Sequence, residues 1–451
     1  MKIDVNFAKV TGKIKPMHAV GQPPFTGGFA KLDFTPMQIL KDAHIPYSRL
    51  HDVGGPFGSN RYVDIPNIFR NFDADVNDPA SYDFTFTDEL LKGLESYGVK
   101  PYFRLGVTIE NQCQIKAYHI HPPKDYDKWA RICEHIIMHY NEGWADGFHY
   151  GIEYWEIWNE PENDMYGSNK NQMWTGTPLQ YYELYDVAAK HLKKCFGDKI
   201  KIGGYSASGL YGLFVNPQKY GLKMKAREGT SWDSPKQEYR IKFFTDFLDY
   251  IKEHGSPIDY FSWHIYGDTE MVEGEADYIV NTLEEKGFGG LETHCTEWNL
   301  SHNRVINRNR TNAHAHVMAT MISLQHKKTD MLMYYDAKYM APNTYGGFYD
   351  LVTYAPSAIY YSFKAFGVLY GLENEVECNC PKDGIYALAA ENDGKKAIVI
   401  TNVSEDTNVE LDLTDEFSVY IIDENNLFEK TDMNPKDFML KENTVAVIMN
   451  F

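Results

Sequence analysis

The sequence predicts an α/β protein, a (β/α)8 TIM barrel with a small C-terminal β-sandwich domain. Three observations carry this prediction. Strand-like and helix-like segments alternate over residues 16–372, the strand-like ones number eight, and after Leu372 the chain turns to short alternating strands. Repeated βα units build a parallel sheet, and eight of them close into a barrel. A chain of 451 residues suits one such barrel with a modest appendage.

The eight strands are expected at Lys15 to Gly21, Tyr47 to Val53, Lys100 to Val107, Tyr154 to Glu160, Lys201 to Ser206, Asp259 to Gly267, Leu291 to Asn299 and Met331 to Lys338. Between them, helices are expected at Thr87 to Tyr97 before Gly98, at Asp125 to Tyr140 after a Pro-Pro pair, and at Pro178 to Phe196 before Gly197. Residues 373–451 hold the sandwich strands Gly384 to Ala390, Ala397 to Asn402, Asn408 to Leu413, Ser418 to Asp423 and Thr444 to Phe451. The opening Lys2 to Val10 also alternates, and residues 1–15 are a candidate to complete that sandwich.

Composition narrows the partners. The chain carries 63 acidic against 44 basic residues, a formal charge of −19, which disfavours a nucleic-acid surface. Its apolar runs fall short of the roughly 20 residues that span a membrane. The charged start MKIDVNFAKVTGK does not read as an export signal, so a cytoplasmic location is expected. Cysteines 113, 133, 195, 295, 378 and 380 show no C-x-x-C pairing, free thiols are expected, and Cys378-Asn-Cys380 reads as a loop. His314 and His316, two apart on an expected helix, share no face, and His119-Ile120-His121 has no nearby acid at a familiar spacing, so no metal and no cofactor is expected. Aromatic residues make up 15% of the chain, a composition compatible with sugar-stacking faces.

Catalytic groups of such barrels gather at the C-terminal ends of the strands. The fourth strand runs Tyr154-Trp155-Glu156-Ile157-Trp158-Asn159-Glu160-Pro161, and Pro161 ends regular pairing just after Glu160. The seventh runs Glu292-Thr293-His294-Cys295-Thr296-Glu297-Trp298-Asn299 and ends similarly in an acid. Strands four and seven lie across the barrel mouth from one another, so Glu160 and Glu297 can converge. Two facing carboxyls are the equipment that glycosidic hydrolysis requires. Glu156 shares parity with Glu160 but lies deeper, where pairing with a base is expected.

These two motifs resemble the acid/base and nucleophile segments of glycoside hydrolase family 39. Pro122-Pro123-Lys124-Asp125-Tyr126-Asp127-Lys128-Trp129 and Tyr82-Asp83-Phe84-Thr85 are similar to stretches of that family's β-xylosidases. The resemblance implies a retaining mechanism, with Glu297 as nucleophile and Glu160 as acid/base. It also implies a Glu160 pKa raised by burial and by the negative charge of Glu297. On the same resemblance, Arg49 keeps the nucleophile ionised, while His51 contacts a sugar hydroxyl. Asn159 bonds the hydroxyl beside the anomeric carbon, and His264 and Tyr266 orient nucleophile and substrate. Trp298 is either a sugar platform or an outward-facing barrel residue.

The sequence departs from the β-xylosidase pattern where specificity would be set. The eighth strand reads Met333-Tyr334-Tyr335-Asp336-Ala337-Lys338, and Asp52-Val53-Gly54-Gly55-Pro56-Phe57-Gly58 follows the second. Asp52, Tyr335, Asp336 and Lys338 are therefore candidates for reading substrate hydroxyls, with a structural Asp336–Lys338 ion pair as the alternative. The implied partner is an oligosaccharide or glycoside, met by a β-xylosidase-like exo-glycosidase. Competing readings are the same mechanism on another sugar (β-glucosidase, β-galactosidase, arabinosidase or a uronidase-like activity) and a noncatalytic carbohydrate-binding barrel. Oligomeric state does not carry over from the resemblance.

Overall fold

A computed structural model describes residues 1–27, 31–53, 63–108, 120–168, 173–228, 232–300, 312–339, 347–350 and 353–451. In chain order the first strands are β1 (Lys2–Lys13), β2 (Ala19–Gly21), β3 (Thr26–Gly27), β4 (Leu32–Asp33), β5 (Tyr47–Leu50), β6 (Lys100–Leu105) and β7 (Tyr154–Ile157). They are followed by β8 (Lys201–Ala207), β9 (Tyr260–Tyr266), β10 (Glu292–Asn299) and β11 (Met331–Tyr334). Apart from the small β3–β4 pair, strands β2 and β5 to β11 close into one barrel, each beside its sequence neighbour, with β11 returning to β2. All eight expected barrel strands are present. Several end earlier than their apolar patterns suggested, because the backbone turns at the mouth: β7 stops at Ile157, and β11 at Tyr334.

Local signals explain the helices that cover this barrel. Helix Pro178–Phe196 starts in a capping box between Thr177 and Gln180, with Pro178 in its first turn, and stops at Gly197, whose φ is 57°. Helix Tyr126–Asn141 begins where the Asp125 side chain accepts from the Lys128 N–H. Such caps contribute about 1 kcal/mol each. Helix Thr85–Ser96 starts two residues before the expected Thr87.

Side-chain alternation sorts the barrel interior into layers. Tyr102, Tyr154 and Tyr260 pack with Ala19, Met331 and Met333 into an apolar floor. Two residues further along their strands lie Arg104, Glu156 and Ser262, all fully buried. Strict alternation would then bring Thr296 inward on β10. An extra residue between Cys295 and Glu297 shifts the register, so that Glu297 pairs with His264 and shares its inward parity. A similar shift in β8 lies between Gly204 and Ala207, beside Ser206.

The chain continues as β12 (Asn374–Asn379), β13 (Ile385–Asn392), β14 (Lys395–Asn402), β15 (Thr407–Leu411), β16 (Ser418–Ile422), β17 (Leu427–Thr431), β18 (Asp437–Leu440) and β19 (Thr444–Met449). With β1 they form one nine-stranded sheet, ordered β17-β16-β19-β14-β13-β12-β1-β15-β18. Strand β1 is its corner, antiparallel to β12 and parallel to β15 through Lys2 and Ile3. Ile398, Ile400, Ala446 and Ile448 face the sandwich core that Val409, Leu411, Phe438 and Leu440 complete. The alternate residues Ala397, Val399, Val445 and Val447 join the barrel's own core.

Three of these strands differ from expectation. β12, β17 and β18 escaped the sequence reading because their faces are largely polar or half-exposed, which weakens the period-2 pattern. Cys378 lies within β12 rather than in a loop. The described cysteines 133, 195, 295, 378 and 380 are free thiols, while Cys113, His119 and Gly54 to Gly58 lie outside the described residues. No helix among the described residues is long and apolar enough to cross a membrane.

Candidate active site

Residues held in left-handed backbone conformations line the barrel mouth. Asp52 (φ 53°), Trp158 (φ 76°), Glu160 (φ 45°) and Ser206 (φ 56°) follow or end β5, β7 and β8. Non-glycine residues pay conformational strain of order 1–3 kcal/mol each in sparsely populated regions, and such strain clusters at functional sites. The consequence at β7 is that alternation breaks after Ile157, and both Asn159 and Glu160 reach partners inside the mouth.

Arg49 organises the centre. Its Nε donates to Glu156 Oε2 at 2.7 Å, Nη1 to Glu297 Oε1 at 2.8 Å, and Nη2 to Asn159 Oδ1 at 2.7 Å and Ser206 Oγ at 2.9 Å. Burial works against the guanidinium charge, but Glu156 and Glu297 more than offset it and hold the Arg49 pKa above its ordinary value. Burial likewise opposes the Glu156 charge, yet Arg49 and Ser206 hold that carboxyl below its usual range. Glu156 is thus the structural counter-ion of Arg49.

Glu297 is 6% exposed and has both oxygens occupied: Arg49 donates to Oε1, and Tyr266 Oη donates to Oε2 at 2.7 Å. Glu160 is 8% exposed, and its Oε1 lies 2.8 Å from His264 Nδ1. The same Nδ1 is 3.6 Å from Glu297 Oε2. One carboxylate oxygen of each Glu and a ring nitrogen of His264 all lie within 4.8 Å of one another.

The pKa of Glu160 corrects an expectation. Burial does push its carboxyl up, but the hydrogen bond and charge of His264, with Arg240 and Arg49 further away, outweigh burial and hold it below the ordinary carboxylate range. The sequence reading counted burial and Glu297 but could not place His264 against the acid.

His51 Nε2 stands 3.3 Å from Asp52 Oδ1 and 3.8 Å from Glu297 Oε1. Burial, reinforced by Arg49, Arg104 and His264, keeps the His51 pKa well below its ordinary value, so the ring is neutral at pH 7. Tyr335 Oη donates to Asp52 Oδ2 at 2.9 Å and also meets the Gln22 amide. Its ring stands edge-on to Tyr266 at 6.4 Å. Asp336 is fully buried and accepts from the Lys338 backbone N–H at 3.1 Å, while Lys338 is half-buried.

Trp298 requires a second correction. Its ring is fully buried in the outer apolar layer, 5.4 Å from Tyr334 and edge-on to it, so the outward-facing alternative holds and it is no sugar platform. The physical reason is parity: with Glu297 turned inward, its neighbour on the strand must turn outward.

Sequence reasoning missed Ser206, Gln22, Arg240 and Glu162. Ser206 ends the expected fifth strand, which was its only signal. Glu162 follows the acid by two residues and accepts from Ser208 N at 2.7 Å and Ser208 Oγ at 3.0 Å. Burial pushes its carboxyl up to about 8, against the opposing charge of Arg240. Arg240 Nη2 in turn donates to Asn163 Oδ1 at 2.6 Å.

Could the Glu160–His264–Glu297 group hold a cation? Both oxygens of Glu297 already face donors, Arg49 on Oε1 and Tyr266 on Oε2, so a cation there would share the carboxylate with a guanidinium charge. The arrangement is two facing carboxyls at the ends of the fourth and seventh strands, one of them backed by an arginine. The chain belongs to glycosyl hydrolases family 39, whose pattern matches residues 61–341. It is 22% identical over 296 residues to a β-xylosidase of Geobacillus stearothermophilus, covering 59% of this chain and 50% of that relative. With a β-xylosidase of Caldicellulosiruptor saccharolyticus it shares 25% identity over 327 residues, 67% of this chain and 56% of the relative. The chain thus spans about half the length of these curated relatives. The fold is shared with a glucosidase from Croceicoccus marinus (TM-score 0.75, 20% identity, 99% of this chain and 98% of that one). It is shared also with a family 39 β-xylosidase from Caulobacter crescentus (TM-score 0.68, 18% identity, 100% and 99%).

Proposed function

We propose that this chain is a retaining, β-xylosidase-like exo-glycosidase of polysaccharide breakdown, acting through Glu297 and Glu160. The observation that carries the reading is that one oxygen of Glu160 and one oxygen of Glu297 lie within 4.8 Å of each other. Double displacement uses carboxyls about 5 to 5.5 Å apart, whereas single displacement needs about 6.5 to 9.5 Å to admit a water between them and the sugar.

In the first step a Glu297 oxygen attacks the anomeric carbon as the bond to the leaving oxygen breaks. Glu160 gives that oxygen the proton it needs and is left as the carboxylate. In the second step Glu160 takes a proton from water, the water oxygen attacks the anomeric carbon, and the bond to Glu297 breaks. Arg49 and Tyr266 hold Glu297 by its two oxygens and fix its line of attack. Asn159, itself pinned by Arg49, is placed to meet the hydroxyl beside the reacting carbon, a contact that strengthens as oxocarbenium character develops.

A second reading keeps this chemistry and changes the sugar. It rests on the Asp52–Tyr335 pair, a buried acid and phenol joined through His51 and Tyr266 to the surroundings of Glu297. Nitrophenyl β-glycosides of xylose, glucose, galactose and arabinose, assayed with and without a chelator, test both. Highest kcat/KM on the xyloside supports the first reading, and highest kcat/KM on a hexoside supports the second. Absence of turnover on every sugar contradicts both.

A further inference from the structure

Away from the barrel mouth, on its outer surface, three metal-ligating side chains converge between two helices. Glu134 lies on helix Tyr126–Asn141, while His191 and Cys195 are one turn apart on helix Pro178–Phe196 and share a face. His191 Nε2 is 2.7 Å from Glu134 Oε2 and 3.7 Å from Cys195 Sγ, and one ligand atom of each lies within 4.8 Å of the others. The reaction proposed above uses none of them.

We propose that Glu134, His191 and Cys195 bind one divalent transition-metal ion, Zn(II) foremost, with water completing a tetrahedron. The donor set is one thiolate, one imidazole and one carboxylate, the combination that Zn(II) accepts and that Mg(II) or Ca(II) does not favour. Spacing agrees as well. Zn–S of about 2.3 Å and Zn–N of about 2.0 to 2.1 Å at tetrahedral angles put sulfur and nitrogen about 3.5 Å apart, close to what Cys195 and His191 already show. Imidazole and carboxylate oxygen would need about 3.3 Å, so the Glu134–His191 contact opens by roughly half an ångström when the ion replaces the hydrogen they share.

Cys195 is exposed, which gives the ion an open approach. Cys195 would bind as the thiolate, its thiol proton passing to solvent on ligation. The bound ion would staple together the two helices that follow β6 and β7, the latter being the strand that leads to Glu160.

The test uses the full chain stripped with a chelator and dialysed free of it. Calorimetric titration with Zn(II) is expected to show a site whose affinity falls by roughly tenfold or more in Cys195→Ser and in His191→Gln. Co(II) is expected to give a thiolate charge-transfer band in the near ultraviolet that Cys195→Ser abolishes. Zn(II) should raise the melting temperature of the parent chain and not that of either variant, while turnover of the preferred nitrophenyl glycoside stays unchanged. A Co(II) band that survives Cys195→Ser, or Zn(II) affinity indifferent to both substitutions, overturns the proposal. Because neither readout depends on glycoside hydrolysis, failure here leaves the reading of the barrel mouth standing, and the reverse also holds.

Discussion

His264 Nδ1 lies 2.8 Å from Glu160 Oε1, and this contact does most to hold the buried Glu160 carboxyl below its ordinary range. It joins the sixth strand to the residue that follows the fourth, and it reverses the effect that burial alone would have on the acid. The same imidazole also faces Glu297 at 3.6 Å, so a change at one carboxylate is felt at the other.

Replacing His264 with leucine removes the hydrogen bond while burial and the Glu297 charge remain. Burial still favours the neutral acid and the charges of Arg240 and Arg49 are common to both chains, so the Glu160 carboxyl must titrate at higher pH in His264→Leu than in the parent chain. Carbon NMR of labelled glutamate, with Glu160→Gln to assign the signal, reads this directly. A Glu160 titration that stays in place or moves to lower pH contradicts the assignment.

Removing the Arg49 guanidinium leaves Glu156 and Glu297 buried without their counter-ion. Arg49→Gln is expected to lose about 3 to 5 kcal/mol of stability, the usual consequence of breaking one partner out of a buried ion pair. Chemical denaturation at neutral pH measures it, and a loss below about 1 kcal/mol would show that Arg49 is not the organising charge.

Glu162 predicts a pH dependence of stability. Its carboxyl is raised in the folded state to about 8, so between the ordinary carboxylate range and about pH 8 the unfolded chain releases a proton that the folded one keeps. Stability therefore falls as pH rises through that window. Glu162→Gln keeps an acceptor for Ser208 and cannot ionise, so its melting temperature should decline less between pH 5 and pH 8 than that of the parent. Parallel declines would remove Glu162 from the account.

The two carboxylates are distinguished by rescue and by leaving group. Glu297→Ala should lose nearly all turnover, and external azide should partly restore it as an inverted glycosyl azide. Glu160→Ala should slow substrates with poor leaving groups by about 10² to 10⁴ and spare those with good ones, which need little protonation. Equal losses for both kinds of leaving group would count against Glu160 as the acid.

Much of this site was legible in the sequence because it is written at strand ends. Pro161 marks the turn beside Glu160, and the spacing of eight strands places the fourth opposite the seventh. Arg49 and His51 share parity, and both reach Glu297, Arg49 from β5 and His51 from just beyond its end. What stayed hidden depends on departures from regular pairing. The extra residue between Cys295 and Glu297 decides that Glu297 and not Thr296 turns inward, and hence that Trp298 packs against Tyr334. The left-handed backbone at Trp158 and Glu160 lets consecutive residues serve one cavity, which a period-2 reading cannot foresee. Likewise the Glu160–His264 contact joins residues 104 apart in sequence, and no local pattern announces it.

Stereochemistry tests the central claim most directly. Proton NMR of an aryl β-glycoside, begun as soon as the chain is added, shows which anomer leaves the site before mutarotation mixes them. The close approach of Glu160 and Glu297 predicts the β anomer first. First appearance of the α anomer would contradict double displacement and the nucleophile role of Glu297 with it.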